Sequence, residues 1–171
     1  MFLQVSRDRS IVLLSVLALC FASPAAATVR YVSPTGSSSN SGTSPGLPWS
    51  MAQANLALQA GDVCMVLPGT YNTSINPANA GTSIATRITY VGDLSNPGAA
   101  VVPSIQPRKA YVSIKAITAT GGFTLAYPAR YASIYKCVSN GGLQFQAAKY
   151  CVVGSNTING LVGFLANGGL P

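Results

Sequence analysis

Four columns of similar residues recur at a spacing of 19 to 20 residues in the last third of the chain. The columns are Tyr111, Tyr131 and Tyr150; Ile114, Ile134 and Val153; Gly121, Gly141 and Gly160; and Leu125, Phe145 and Phe164. Short apolar runs between glycine turns at this period predict an all-β solenoid, in which each coil rises by one strand spacing, about 4.8 Å. Because no coil can bury its apolar face alone, about three or more must stack. Leucine-rich repeats have a similar period, but their Leu-x-x-Leu-x-Leu pattern is missing, and an antiparallel sandwich would not require these columns.

The composition excludes several classes of protein. The chain has no Glu, no His and ten Lys and Arg, and its charged fraction is 8%, against roughly 25% in ordinary soluble domains. Such a chain is a poor candidate for a coiled coil, and 49% hydrophobic residues are not typical of a disordered tail. Without His, these residues cannot build a Ser-His-Asp triad, a Cys-His dyad or a His-ligated zinc site.

Residues 1–27 have the pattern of a secretory signal peptide. Arg7 and Arg9 supply the positive start, Ile11–Ala22 is an apolar run too short to span a bilayer comfortably, and Ala25–Ala27 fits a small-x-small cleavage site. We therefore expect a secreted, extracellular protein that begins near Thr28 and has no membrane contact after cleavage. The periplasm and the cell surface are alternative destinations. An uncleaved anchor and a lipid on Cys20 are alternative fates of the leader.

The next segment predicts one short helix. Ser50–Ala60 is rich in Ala, Leu, Met and Gln, and Ser50 stands where an N-cap is expected. One face of this helix carries the apolar side chains of Met51, Ala54 and Leu58. Gly61 stands where a C-cap glycine would end the helix.

Short strands and turns account for most of the remaining chain. Strands are predicted from Tyr31, over Asp62–Leu67 and over Arg87–Val91. Pro68–Tyr71 and Asn96–Gly98 are predicted to be turns because they contain Pro-Gly pairs. No further helix is predicted after Ile75.

Three cysteines remain after residue 27, namely Cys64, Cys137 and Cys151. All three lie among β-branched and aromatic neighbours, which favours small buried apolar side chains. A disulfide between Cys137 and Cys151 is the alternative, although the repeat does not place these two residues in register. The cysteines show no metal-binding spacing.

Several short motifs along the chain resemble a known family. They are Tyr31–Gly36, Ser41–Thr43, Pro48–Trp49, Gly61–Val63, Pro68–Tyr71 and Ile88–Asp93. With the repeat, they make residues 30–171 resemble the N-terminal part of a right-handed parallel β-helix protein of the pectate-lyase-like superfamily. The resemblance implies a cap over residues 28–61 and solenoid coils over 62–171. It implies little about reaction, because lyases, hydrolases, epimerases and adhesins share this fold.

The resemblance also bears on the C-terminus. The sequence reaches Gly168–Pro171 without a recognisable capping element, and an uncapped solenoid exposes its core and a strand edge. We expect the protein to continue beyond residue 171, the alternative being a partner that covers this end. Family enzymes carry their acids, bases and calcium-binding carboxylates on middle coils. Calcium is therefore expected only through coils beyond residue 171.

The acidic residues after the leader offer little chemistry. They are Asp62 and Asp93, which lie in different turn motifs, and we expect both to bind backbone amides. Glycoside hydrolysis usually needs paired carboxylates, and calcium needs several oxygen ligands. We therefore assign no catalytic residue, no metal site and no cofactor within these residues.

Basic and aromatic side chains of the repeat are the candidates for substrate binding. Lys115 and Tyr135 share one repeat column, Lys136 follows Tyr135, and Lys149 lies in the next coil. These four could contact a polysaccharide on an outer face, as could Arg130, and a lyase would need such groups as a base or to neutralise an acidic sugar. The ordinary alternative is a row of solvated lysines. The tyrosine column is expected to pack as a stack.

Charge and fold together suggest the partners. After residue 27 the chain has eight Lys and Arg residues and two Asp residues. The basic residues are isolated from one another in the sequence, except for Arg108 and Lys109. Nucleic-acid-binding domains usually cluster such charge on one face, so we expect an acidic or neutral polysaccharide and no nucleic acid. The first hypothesis is a lyase-like depolymerase whose catalytic coils lie beyond residue 171. The second is a non-catalytic adhesin, glycan-binding or structural module. Substrate and oligomeric state stay open.

Overall fold

The computed structural model describes residues 27–165, which form a parallel β-solenoid of about four turns with one short helix. The predicted solenoid is thereby confirmed. Nearly all of the predicted signal peptide, including Cys20, lies outside the described residues, as does Gly168–Pro171.

Fourteen strands and one helix make up the described part of the chain, and most coils contribute three short strands. The bounds are β1 Val29–Val32, α1 Met51–Ala57, β2 Val63–Val66, β3 Gly69–Thr70, β4 Ile88–Val91, β5 Ala100–Val102, β6 Val112–Lys115, β7 Ile117–Ala119, β8 Phe123–Ala126, β9 Ser133–Tyr135, β10 Val138–Ser139, β11 Leu143–Gln146, β12 Val152–Gly154, β13 Thr157–Ile158 and β14 Val162–Leu165.

The strands stack into three parallel sheets. Sheet A has the order β1-β2-β4-β6-β9-β12, sheet B has β13-β10-β7-β5-β3, and sheet C has β14-β11-β8. The chain passes from sheet A to B to C within a coil and then starts the next coil. Residues one coil apart are therefore hydrogen-bonded neighbours, although about 20 positions separate them in sequence.

Two of the four repeat columns face the core of the solenoid. Ile114 pairs with Ile134, which pairs with Val153, and Leu125, Phe145 and Phe164 pair in the same way in sheet C. Ile114, Ile134 and Leu125 are fully buried. The rings of Tyr111, Tyr131 and Tyr150 stack with centroids 4.9 and 5.0 Å apart, which confirms the predicted tyrosine stack.

The helix packs at the N-terminal end with β1. The Ser50 side chain accepts a hydrogen bond from the Gln53 backbone N–H at 3.2 Å, which confirms the predicted N-cap. Met51, Ala54 and Leu58 are buried as predicted. Within residues 27–165, no helix is both long enough and apolar enough to cross a bilayer.

Three predicted boundaries were wrong. The helix ends at Ala57, because Leu58 is already extended with ψ 138°, and Gly61 with φ 93° belongs to the following turn. The first strand begins at Val29, where the Val63 pairing starts. The predicted turn at Pro68–Tyr71 contains β3, because Gly69 and Thr70 pair with Ala100 and Val101 of the next coil.

The three cysteines in the described part of the chain are free thiols. Cys64 and Cys137 are buried and Cys151 is partly buried, as expected for small apolar side chains. Burial raises the pKa of the Cys137 thiol to about 11 and raises that of Cys64 further, so both stay protonated at neutral pH.

Candidate functional site: a groove on the outer face of sheet A

A groove of about 590 Å³ runs over the outer face of sheet A. Successive side chains of a strand point to opposite faces, so the outward residues of these strands form the floor of the groove. One outward column, with one residue from each of five successive strands, lies in register across the sheet. This column is Val63, Thr89, Ser113, Ser133 and Val152. The outward side chains of Lys115 and Tyr135, at the ends of β6 and β9, lie beside this column.

The segment between β3 and β4 forms one wall of this groove. Ile84 and Ala85 line it, together with Gly61 at the start of the first coil. Gly81 anchors the segment, because its N–H donates to the Ala110 carbonyl oxygen at 3.0 Å and a Cβ there would overlap the Tyr111 and Thr86 backbones. The wall is therefore held against the coils by backbone contacts.

The structure brings together three of the four predicted binding residues. Lys115 and Tyr135 are paired in register and both line the groove. Lys136 follows at the corner between sheets A and B, and its Nζ lies 5.9 Å from the centroid of the Tyr135 ring. Tyr135 is 41% exposed, so an apolar ring edge and a phenol are available to a ligand.

Lys149 lies apart from the other three. It pairs with Arg130 across one coil spacing, just before the tyrosine stack, and both side chains are exposed. Arg130 and Lys149 precede β9 and β12, whereas Lys115 and Tyr135 are the last residues of β6 and β9. Lys149 and Arg130 therefore occupy the opposite edge of the sheet and do not line the groove.

Sequence reasoning missed Arg87, which lines the groove at the start of β4. Its Nη2 donates a hydrogen bond to the Tyr131 carbonyl oxygen at 3.1 Å, two coils away. Its Nε is buried and has no hydrogen-bond partner in the described part of the chain. Arg87 is in register with Tyr111 of the next coil. Because more than 20 residues separate these two positions, the repeat in the sequence does not predict the position of Arg87.

The groove also has a pair of hydroxyls that the sequence analysis did not select. The Ser133 hydroxyl donates to that of Ser113 at 2.9 Å, and Ser113 is buried although it lies on the outer face. The sequence contains a signal for this pair, because the two serines are 20 positions apart and each directly precedes a residue of the Ile114 and Ile134 column. Serine is also common in loops, so this spacing alone does not predict a site.

Neither described carboxylate lies in the groove. Asp62 accepts hydrogen bonds from the Thr28 N–H at 3.1 Å and the Gln59 N–H at 2.8 Å. Asp93 accepts from the hydroxyl and the N–H of Ser95, which lower its pKa. Both carboxylates thus bind backbone amides, as predicted, although Thr28 lies 34 residues from Asp62 in the sequence. Among residues 27–165, no three His, Cys, Asp or Glu side chains form a group that could hold a metal ion.

A second hollow of about 400 Å³ lies beside the first coils. Its lining is largely apolar and includes Met65, Leu67, Val91 and Leu94. None of its lining residues is a cation, and Asp93 at its rim is bound to Ser95. The sheet A groove is therefore the better candidate for a polar ligand.

No family model matches the chain, and no curated protein or solved structure is significantly similar to it.

Proposed function

We propose that this chain belongs to a secreted right-handed β-helix protein of the pectate-lyase-like superfamily that binds extracellular polysaccharide along the outer face of sheet A. The observation that carries the proposal is the open groove in which hydroxyl, aromatic and basic side chains lie in register. Hydroxyls and ring faces are the groups that bind sugars, which present many hydroxyls and small apolar patches. The leader pattern at residues 1–27 and the solenoid support the extracellular setting.

Binding is the function that the described residues support best. The groove supplies Tyr135, Ser113, Ser133 and two cations but no pair of carboxylates, and paired carboxylates are the usual device for glycoside hydrolysis. The depolymerase form of the proposal requires catalytic groups outside the described residues, with this groove as part of the binding face.

Affinity electrophoresis of the purified protein through gels that contain a panel of neutral and acidic polysaccharides tests the proposal. At least one polymer should retard the protein. Tyr135→Ala should weaken that retardation about fivefold, because a ring contact is lost. The matched control is Tyr127→Ala, since Tyr127 is 62% exposed and lies outside the groove. The proposal fails if no polymer retards the protein, or if both variants weaken binding equally.

A further inference from the structure

Four basic side chains lie along one corner of the solenoid, outside the sheet A groove. They are Arg108, Lys109, Arg130 and Lys149, and they lie where the chain passes from the sheet C side of one coil to sheet A of the next. Arg108, Arg130 and Lys149 are exposed, and Lys109 is partly exposed. None of the four lines either hollow. We call this set the basic ridge, because it follows the corner between two sheets.

Arg130 and Lys149 are direct neighbours in adjacent coils. They form a parallel bridge, so their Cα atoms are about one strand spacing, or about 4.8 Å, apart. The Tyr131 N–H donates to the Lys149 carbonyl oxygen and the Lys149 N–H donates to the Ala129 carbonyl oxygen, both at 3.1 Å, and these bonds fix the register. Like charges directly opposite each other on neighbouring strands are destabilising. The register therefore holds two cations in a mutually repulsive position.

Neither carboxylate of residues 27–165 offsets this charge. Asp62 binds the Thr28 and Gln59 amides near the N-terminal end of the solenoid. Asp93 binds Ser95 just after β4, at the opposite edge of sheet A. Cations without an internal counter-charge attract external anions. The ridge is therefore complementary to a partner that presents several negative charges side by side.

Exposed tyrosine rings flank the ridge. Tyr127 precedes Arg130 in the same corner and is 62% exposed, and Tyr150 follows Lys149 and is 70% exposed. The Tyr150 ring stacks on that of Tyr131 with centroids 5.0 Å apart, which holds it in place. A tyrosine ring with a polar tip suits the headgroup layer of a bilayer, which is apolar on one side and wet on the other. Clustered Lys and Arg side chains are attracted to anionic headgroups.

We infer that the basic ridge docks the solenoid on the surface of an anionic phospholipid bilayer. The ridge cations bind headgroup phosphates, and the rings of Tyr127 and Tyr150 enter the headgroup layer. A corner between two sheets suits this partner better than a linear polymer, because a bilayer is a broad surface that needs no cleft. The inference goes beyond the proposed function. It also departs from the expectation of no membrane contact, which considered only the leader.

Vesicle co-sedimentation tests the lipid requirement. The purified protein is mixed with vesicles of phosphatidylcholine alone, or with vesicles of phosphatidylcholine and phosphatidylglycerol in equal amounts. We expect at least about tenfold tighter binding to the anionic vesicles, because each Lys or Arg near such a surface adds to the attraction. Added salt should release the protein from them. Equal binding to both kinds of vesicle, or no binding to either, overturns the inference.

Substitutions locate the contact. The double variant Arg130→Gln, Lys149→Gln should weaken binding to the anionic vesicles about thirtyfold, because two cations of the ridge are lost. The control Lys115→Gln, Lys136→Gln makes the same change in net charge at the opposite edge of sheet A and should weaken binding little. Tyr127→Ala should weaken it about threefold. All variants share the same N-terminal residues, so any difference among them does not come from the leader.

Further measurements check the fold and the class of partner. Loss of a repulsive pair should leave the unfolding temperature of the ridge variant equal to or above that of the wild type, and a lower temperature would contradict the repulsion on which the inference rests. If both double variants lose binding equally, attraction follows net charge alone and the inference is wrong. It is also wrong if inorganic polyphosphate binds the ridge as tightly as the anionic vesicles do. None of these results depends on the groove, so polysaccharide binding is tested independently.

Discussion

Single residues limit how closely neighbouring coils approach. The turn between sheets B and C brings Gly121 and Gly141 of adjacent coils together, and a Cβ on Gly141 would overlap the Gly121 backbone. Gly160 lies in the same way against Gly141 and Gly142 of the preceding coil. Glycine is required here because two main chains are in contact, so the sequence column reports a packing constraint rather than turn flexibility.

Gly141→Ala should therefore destabilise the protein strongly. The added methyl group must push apart two backbones that are hydrogen-bonded to their coils, so we expect a loss of about 2 kcal/mol or more in the free energy of unfolding. Urea unfolding followed by circular dichroism measures it. Gly46→Ala is the control, because a Cβ on Gly46 meets no atom within 4 Å. Equal stability of the two variants would show that the coils separate easily at this turn.

Strands β6, β9 and β12 of sheet A lie between residues in the left-handed region. Tyr111, Tyr131 and Tyr150 have φ of 54°, 53° and 55° just before the strands. Ala116, Lys136 and Ser155, with φ of 57°, 53° and 53°, form the corner to sheet B just after them. Each such residue costs about 1–2 kcal/mol relative to glycine because its Cβ crowds the backbone. The stacked coils impose these corners, and residue propensity does not predict them.

The corner at Lys136 gives a prediction. Lys136→Gly should be more stable than Lys136→Ala by about 1 kcal/mol, because only glycine adopts φ 53° without a Cβ penalty. Comparison with Ala removes the effect of losing the contact with Tyr135. At Lys149, which has no positive φ, the order should reverse, with the Gly variant less stable than the Ala variant. Thermal unfolding of the four proteins measures both differences. Ala more stable than Gly at position 136 would contradict the assigned corner.

At the scale of the whole molecule, the solenoid groups charges that are scattered in the sequence. Lys115 and Lys136 stand at one edge of sheet A, and Arg130 and Lys149 stand at the other. The outward positions of sheet B are uncharged in the described coils. They are Thr70, Val101, Thr118, Val138 and Thr157. A period of about 20 residues thus brings cations that are single in the sequence together at the two edges of sheet A.

Coil modularity can be tested by deletion. Removal of residues 131–149 joins Arg130 to Tyr150, so that Val152 and Val153 take the places of Ser133 and Ile134 opposite β6. The shortened protein should keep a parallel β spectrum and unfold cooperatively at a lower temperature, because each coil contacts only its neighbours. Deletion of residues 131–140 breaks the register and should abolish folding. Similar behaviour of the two deletions would refute a modular solenoid.

The sequence alone determined the solenoid, because similar apolar side chains at a period of one coil must stack if the apolar face is to be buried. It also determined the helix cap at Ser50 and the hydrogen bonds from Gln59 to Asp62 and from Ser95 to Asp93, which depend on neighbours a few residues away. The hydrogen bond from Thr28 to Asp62 spans 34 residues and depends on the fold. The groove was decided only by the tertiary structure. Arg87 enters it because a longer coil still ends in register, and Ser113 and Ser133 meet because strand alternation turns both outward. Lys149 does not lie with Lys115 and Tyr135, because its position in the coil places it at the opposite edge of sheet A.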